Sequence, residues 1–107
     1  MTSSEDTFTH DDKVYDLTKL RILMRSEPTH IFKIKDLLWV LDYDTPDEER
    51  VRNARLRWPL LVTKWNGKWV VLDGLHRLEK CRRKGIGVVP VKIVSSEILK
   101  QTFERNL

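Results

Sequence analysis

The sequence predicts a small α/β domain, in which a mixed β-sheet is flanked by helices. Three observations predict this class. Apolar residues recur at helical spacing after Asp16, two apolar runs are joined by Asn66-Gly67, and the second of these runs ends at Asp73-Gly74 directly before another helical pattern. Since runs typical of strands alternate with helical patterns along the chain, we expect the helices to pack against one sheet.

The length and composition of the chain favour one folded domain. The 107 residues suffice for one hydrophobic core, and 40% of them are apolar. Residues 1–13 are polar and without periodicity, so we predict a flexible tail there and a single domain over residues 14–107.

The charge and the cysteine content indicate which kinds of binding partner and which cellular compartment to expect. The 20 basic and 16 acidic side chains leave a net charge of +4, which permits an anionic partner. The lone cysteine, Cys81, excludes an intramolecular disulfide, and no Cys/His cluster has the spacing of a zinc site. No stretch approaches the roughly 18 apolar residues of a membrane span, and the first residues are acidic rather than signal-like. We expect a soluble, cytoplasmic protein.

Capping residues and apolar periodicity predict the elements in order. Helices are predicted from Asp16 to the break before Pro28, from Thr45 to Arg57, from Leu75 to Gly85 and from Ser95 or Ser96 to Phe103, with a helical turn over residues 36–41. Strands are predicted over residues 30–34, 60–65, 68–72 and 88–94. Thr45 is expected as an N-cap with proline at the first helical position, and Pro90 indicates an edge strand or an end of pairing.

The turn from Asp73 to Lys80 carries the most chemistry. A strand that runs directly into a helix places the unpaired N–H groups of the helix and its positive dipole end at the edge of the sheet, which favours an anion. Gly74 permits a positive φ, and Asp73 can cap the helix or bind a metal. His76 and Arg77 add donors in the first turn, and Lys80 follows one turn later.

A purely structural interpretation of the same residues stays open. Asp73 can be an N-cap alone, Gly74 a turn residue, and the two basic residues ordinary exposed side chains. Basic groups in a first helical turn oppose the dipole, however, which favours a compensating anion.

The segment from Trp58 to Val94, WPLLVTKWNGKWVVLDGLHRLEKCRRKGIGVVPVKIV, resembles the core of the ParB/sulfiredoxin-like superfamily. The shared features are a Pro-led strand, a hairpin, Asp-Gly-x-His-Arg opening a helix, and a Val-Pro-Val strand. The length also agrees with the stand-alone ParB-like domains that phages encode. Residues 31–57 fit more loosely.

The resemblance implies a nucleotide site. In the superfamily this turn binds nucleotide phosphates: ATP in sulfiredoxins, ATP or ADP in free serine kinases and CTP in partition proteins. It places phosphate at Gly74, Leu75, His76 and Arg77, while Lys80, one turn on, is expected to assist. Asp73 matches an aspartate of the kinase branch and is expected to hold Mg²⁺ or to orient the site. We therefore expect a small nucleotide-dependent kinase or a related enzyme.

This sequence also departs from the family pattern. Leu75 stands where sulfiredoxins have their catalytic cysteine, and Cys81 falls on the inner face of the helix, so sulfinic-acid reduction is not expected. The arginine-rich turn and the DNA-reading region of partition proteins are absent. For the general base of the kinase branch, Glu27 is the nearest candidate by order in the chain, followed by Asp42 and Asp44, and an ordinary loop carboxylate is the competing interpretation.

A non-catalytic module that binds DNA, RNA or a protein is the second hypothesis. Its basic surface would combine residues near the second and third helices: Arg50, Arg52, Arg55, Arg57, Arg82, Arg83 and Lys84. Trp65 or Trp69 would offer a stacking platform, while Trp39 and Trp58 are predicted to be structural. The sequence leaves the nucleotide and the oligomeric state open.

Overall fold

The computed structural model describes residues 7–107. The elements follow in the order β1 (Thr7–His10), β2 (Lys13–Asp16), α1 (Leu17–Leu23), β3 (His30–Lys33), α2 (Glu48–Asn53), β4 (Leu60–Trp65), β5 (Lys68–Asp73), α3 (Leu75–Arg83), β6 (Val88–Ile93), α4 (Ser96–Gln101) and β7 (Phe103–Asn106). The described residues divide into two compact units, residues 7–27 with Val94–Leu107, and Pro28–Ile93. The predicted domain boundary at residue 14 does not coincide with a boundary between these units, which fall after residues 27 and 93.

The first unit contains an antiparallel sheet with the order β1-β2-β7. Asp11 and Asp12 join β1 to β2 with positive φ angles of 51° and 62°, a conformation that aspartate tolerates in tight turns. The prediction of a flexible tail is therefore wrong for residues 7–13, because its polar residues form a hairpin. The part of that prediction on residues 1–6 lies outside the described residues.

Two short helices complete the first unit. The Asp16 side chain accepts a hydrogen bond from the backbone N–H of Lys19 at 3.0 Å, which confirms the predicted cap of α1. Ser95 caps α4 in the same way. The last helix was predicted to reach Phe103 but ends at Gln101, and the chain then enters β7, which pairs with β2.

The second unit is built on a four-stranded mixed sheet with the order β3-β6-β4-β5. β4 and β5 form the predicted hairpin, with Asn66 and Gly67 at φ 49° and 78°. β6 runs parallel to β4, and the connection between these two strands consists of β5 and α3. Pro90 is not on an edge strand, since β6 is internal; pairing with β4 begins one residue later, at Val91, so the alternative prediction of an end of pairing is confirmed.

One face of this sheet carries the core on which α3 lies. The core residues of the second unit are Ile34, Leu37, Leu60, Val62, Val71, Leu78, Cys81, Val89 and Val91. Leu78 and Cys81 are the inward positions of α3, as their spacing predicts. This packing fixes the direction of α3 and leaves its remaining faces for polar contacts.

The region before β4 differs from its prediction. The helical turn predicted over residues 36–41 consists of two short 3-10 helices, Ile34–Asp36 and Leu38–Asp42. The side chain of Asp47, not that of Thr45, caps α2 by accepting from the backbone N–H of Arg50, and α2 ends at Asn53 rather than at Arg57. Among the described residues, no helix has the length and apolar character needed to span a membrane.

Candidate functional site

The turn between β5 and α3 is built around Gly74. This residue is the N-cap of α3 with a φ of 116°, which only glycine adopts without strain. A Cβ atom here would lie 2.8 Å from the Leu60 side chain and 3.1 Å from Nη2 of Arg77. Gly74 therefore allows the strand, the helix and the arginine to approach one another. The N-cap position of α3 is Gly74 rather than Asp73.

Arg77 folds back over this turn towards the end of β5. Its Nη2 atom lies 3.2 Å from Oδ2 of Asp73, and the two side chains are only 16% and 19% exposed. The ion pair fixes the guanidinium beside Gly74 at the N-terminal end of α3. Because a guanidinium has five N–H donors, it can hold one carboxylate oxygen and still donate to a ligand.

The first turn of α3 presents further donors. The backbone N–H of Leu78 is the first to bond within the helix, to the carbonyl of Gly74 at 2.9 Å. The N–H groups of residues 75–77 precede it, and Gly74 offers them no side-chain cap. His76 is partly exposed in this turn. Amides, a histidine and an arginine are thus brought to one helix end, as the sequence predicts.

Lys80 is directed elsewhere. Its Nζ atom donates to the backbone carbonyls of Arg52 at 2.7 Å and Ala54 at 3.0 Å, which end α2. An ammonium group at a helix C terminus satisfies orphan carbonyls and complements the dipole. The structure therefore ties Lys80 to the end of α2 rather than to the first turn of α3.

A second polar cluster lies on the later turns of α3 and was missed from the sequence. The buried carboxylate of Glu79 accepts from Nε and Nη2 of Arg82 at 2.6 and 2.7 Å, and from Nε of Arg83 at 2.7 Å. Arg83 also forms a bidentate pair with Glu48 of α2, at 2.8 and 2.6 Å. The spacing of Glu79 three and four residues before these arginines is the signal that could have found it.

The charges of this cluster are matched. Hydrogen bonding from Arg82 and then from Arg83 lowers the pKa of Glu79 from 4.5 to about 2 against the opposing effect of burial. The pKa of Arg83 is raised, first by its hydrogen bonds to Glu48. We conclude that the cluster joins α2 to α3 as a structural unit.

A cleft of about 420 Å³ lies beside the same cluster. Its lining consists of Leu38, Trp39, Leu41, Asp42, Pro46, Glu79 and Arg82. None of these residues belongs to the turn around Gly74. Since Glu79 and Arg82 pair with each other, the cleft offers a phosphate less charge than the helix end does.

Three further residues that the sequence analysis considered for catalysis lie at different places in the structure. Leu75 is partly buried at the first position of α3. Cys81 lies in the core and burial raises the pKa of its thiol, which confirms its predicted role as a small apolar side chain. Glu27 is exposed in the turn after α1, in the other unit, and its assignment as a general base stays a prediction.

The positions of three tryptophans can be compared with their predictions. Trp39 is structural as predicted, with Nε1 donating to the carbonyl of Trp69 at 2.9 Å. Trp69, suggested as a stacking platform, packs edge-on against Phe32 with ring centroids 4.9 Å apart. Trp58 was predicted to be structural but is 53% exposed, which corrects that assignment.

Comparisons with known proteins bear on the fold. No family model and no curated protein matches the sequence. The structure is similar to the crystal structure of sulfiredoxin from Arabidopsis thaliana, with a TM-score of 0.50 and 20% identity, over 69% of this chain and 94% of that chain. This likeness confirms the predicted ParB/sulfiredoxin-like fold. A shared fold at this identity does not carry an activity with it.

Proposed function

We propose that the N-terminal end of α3 binds the phosphate groups of a nucleotide, with ATP, ADP and CTP as the candidates that the fold suggests. The observation that carries this proposal is the position of Arg77, held by Asp73 beside Gly74 and next to the first-turn amides. A cation and backbone donors at one helix end form the arrangement that binds phosphate in many folds.

Each group has a distinct part in this proposal. The amides of residues 75–77 donate to phosphate oxygens and align them with the helix dipole. His76 adds a further donor from the same turn. Arg77 has two effects, because it donates to phosphate and also neutralises Asp73, whose charge would otherwise repel an anion. Leu75 contributes its backbone alone, and Lys80, which is bonded to the carbonyls at the end of α2, has no contact with phosphate in this proposal.

The donor set around Asp73 suits a magnesium ion only in company with phosphate. The described residues contain no group of three acidic, histidine or cysteine side chains that could hold a metal. Mg²⁺ is commonly bound through one or two carboxylates together with substrate phosphates. Asp73 would supply the carboxylate, and the metal would offset charge between it and the phosphates.

A phosphotransferase is the activity that this site would suit. Phosphoryl transfer depends chiefly on positioning and on stabilising charge, which amides, an arginine and a bound metal provide. Asp73 is our proposed catalytic carboxylate within the site, and the assignment of Glu27 as a general base stays an expectation from the sequence. Sulfinic-acid reduction is not proposed, because position 75 lacks a thiol.

The nucleic-acid module is less well supported. Arg82 and Arg83, two of the residues in its predicted basic surface, are paired with Glu79 and Glu48. Paired arginines add little to the counterion release that drives binding to a nucleic-acid backbone. The proposal therefore rests on the helix end rather than on the basic residues as a group.

An amide-shift titration tests the proposed site. ATP with Mg²⁺, and separately tripolyphosphate, are added to ¹⁵N-labelled protein while backbone amide resonances are followed. We expect the largest shifts at residues 74–77 with both ligands, since the phosphates contact those amides. Shifts centred on Glu79 to Arg83, or no shift with either ligand at millimolar concentration, would contradict the proposal.

A further inference from the structure

The loop between α2 and β4 carries an exposed aromatic ring. Trp58 is 53% exposed, and Cζ of Arg57 lies 5.5 Å from its ring centroid. An arginine over an indole is a cation–π contact, which holds the ring without burying it. This pair was not part of the predicted phosphate site.

Contacts between α2 and α3 place this loop. Arg83, in the last turn of α3, pairs with Glu48 at the start of α2. Lys80, nearly one turn closer to the N terminus of α3, bonds the carbonyl of Ala54 just after α2. The two helices thus run in opposite directions, so the loop that follows Ala54 continues towards the first turn of α3.

The other end of the loop is fixed at the same place. Leu60, the first residue of β4, lies 2.8 Å from the position of a Cβ atom on Gly74. Trp58 is two residues earlier, and two residues of extended chain span about 7 Å. Both ends of the loop therefore hold Trp58 beside the helix end that is proposed to bind phosphate.

We infer that Trp58 is the stacking surface for the base of the bound nucleotide, with Arg57 supporting the ring. This inference rests on the proposed function, and it adds a base-binding residue from a different element. An exposed indole stacks on any nucleobase. Arg57 is exposed and adds a positive charge next to this ring. The ligand class is a free nucleoside diphosphate or triphosphate rather than inorganic phosphate.

The test compares a nucleotide with its phosphate chain alone. Calorimetric titrations of the full chain with ATP and with tripolyphosphate, each with Mg²⁺, are made on the wild type, Trp58→Leu and Trp58→Phe. Tyr43→Leu is the matched control, because Tyr43 is an aromatic residue that is 79% exposed before α2. Thermal unfolding without ligand shows whether each variant folds.

We expect Trp58→Leu to weaken ATP binding about tenfold and to leave tripolyphosphate binding unchanged, since only ATP has a base to stack. Trp58→Phe should restore most of the lost affinity, and Tyr43→Leu should match the wild type. Equal ATP affinity in the wild type and Trp58→Leu would overturn this inference and leave the phosphate site standing.

Two other outcomes separate the hypotheses further. If neither ligand binds the wild type, the proposed function fails and this inference fails with it. A single-stranded oligonucleotide is titrated in the same way. If it binds more tightly than ATP, and if its affinity falls steeply with salt and is lost in Trp58→Leu, then a nucleic-acid strand is the ligand and the free nucleotide is excluded.

Discussion

The two ends of α3 carry similar residues in very different surroundings. At the N-terminal end, Arg77 has one carboxylate partner beside a row of backbone amides. At the C-terminal end, Arg82 and Arg83 share the buried Glu79, and Arg83 also binds Glu48. In the proposed function the donors of the first arrangement bind a ligand, whereas the arginines of the second donate to carboxylates within the protein.

If phosphate binds at the N-terminal end as proposed, the partners of the basic residues, rather than their number, distinguish a binding site from a structural cluster. The sequence places His76, Arg77, Arg82 and Arg83 within eight residues of one helix. Only the side-chain contacts of these residues distinguish the two ends of the helix. Substitutions at the N-terminal end should therefore change ligand binding, and those at the C-terminal end should change stability alone.

The largest effect is expected from Gly74→Ala. The new Cβ would contact Leu60 at 2.8 Å and require a left-handed backbone, so the variant should lose about 2–5 kcal/mol of unfolding free energy together with phosphate binding. Gly85→Ala is the matched control, because Gly85 also has a positive φ but open space around it. It should lose only about 1–2 kcal/mol in urea unfolding. Equal losses in both variants would contradict the role of close approach at Gly74.

A smaller effect is expected from Glu79→Gln at the other end of the helix. Removing the carboxylate leaves two arginines without their shared partner and should cost about 1–3 kcal/mol at pH 7, with nucleotide affinity unchanged. An exposed glutamate, Glu97, provides the control substitution to glutamine. A loss of nucleotide affinity in Glu79→Gln would contradict the claim that the C-terminal end of α3 affects stability alone.

The same variant gives a pH test. The pKa of Glu79 is lowered from 4.5 to about 2, so the folded protein binds fewer protons there than the unfolded chain. Its stabilising contribution is therefore complete above pH 4.5 and is lost as the pH falls towards 2. Urea midpoints should fall more steeply over this interval in the wild type than in Glu79→Gln. Parallel pH profiles of the urea midpoint in the two proteins would contradict a lowered pKa of Glu79.

Much of the second unit could be predicted from the sequence because its signals are local. Asn66-Gly67 defines the hairpin, and the spacing of Leu78 and Cys81 defines the buried face of α3. The candidate site followed from adjacent residues of one turn. By contrast, β1 and β7 are short polar strands that exist through pairing with β2, which no local periodicity indicates.

Side-chain partners were predicted less well, because they depend on distant elements. Lys80 was expected near phosphate, but its contacts are carbonyls at the end of α2, 26 and 28 residues earlier. Trp58 was expected to be packed, yet the loop leaves it exposed. The direction of a long side chain follows from tertiary packing rather than from its position in a motif.

The most direct test of the central claim is a thermal-shift panel of ATP, ADP, CTP and GTP, with and without Mg²⁺, on the wild type, Arg77→Ala and Lys80→Met. We predict that at least one nucleotide raises the melting temperature of the wild type and of Lys80→Met, while Arg77→Ala, which removes the cation beside Asp73, shows no such shift. A nucleotide-dependent shift that survives in Arg77→Ala, or its absence from the wild type, would contradict a phosphate site at this end of α3.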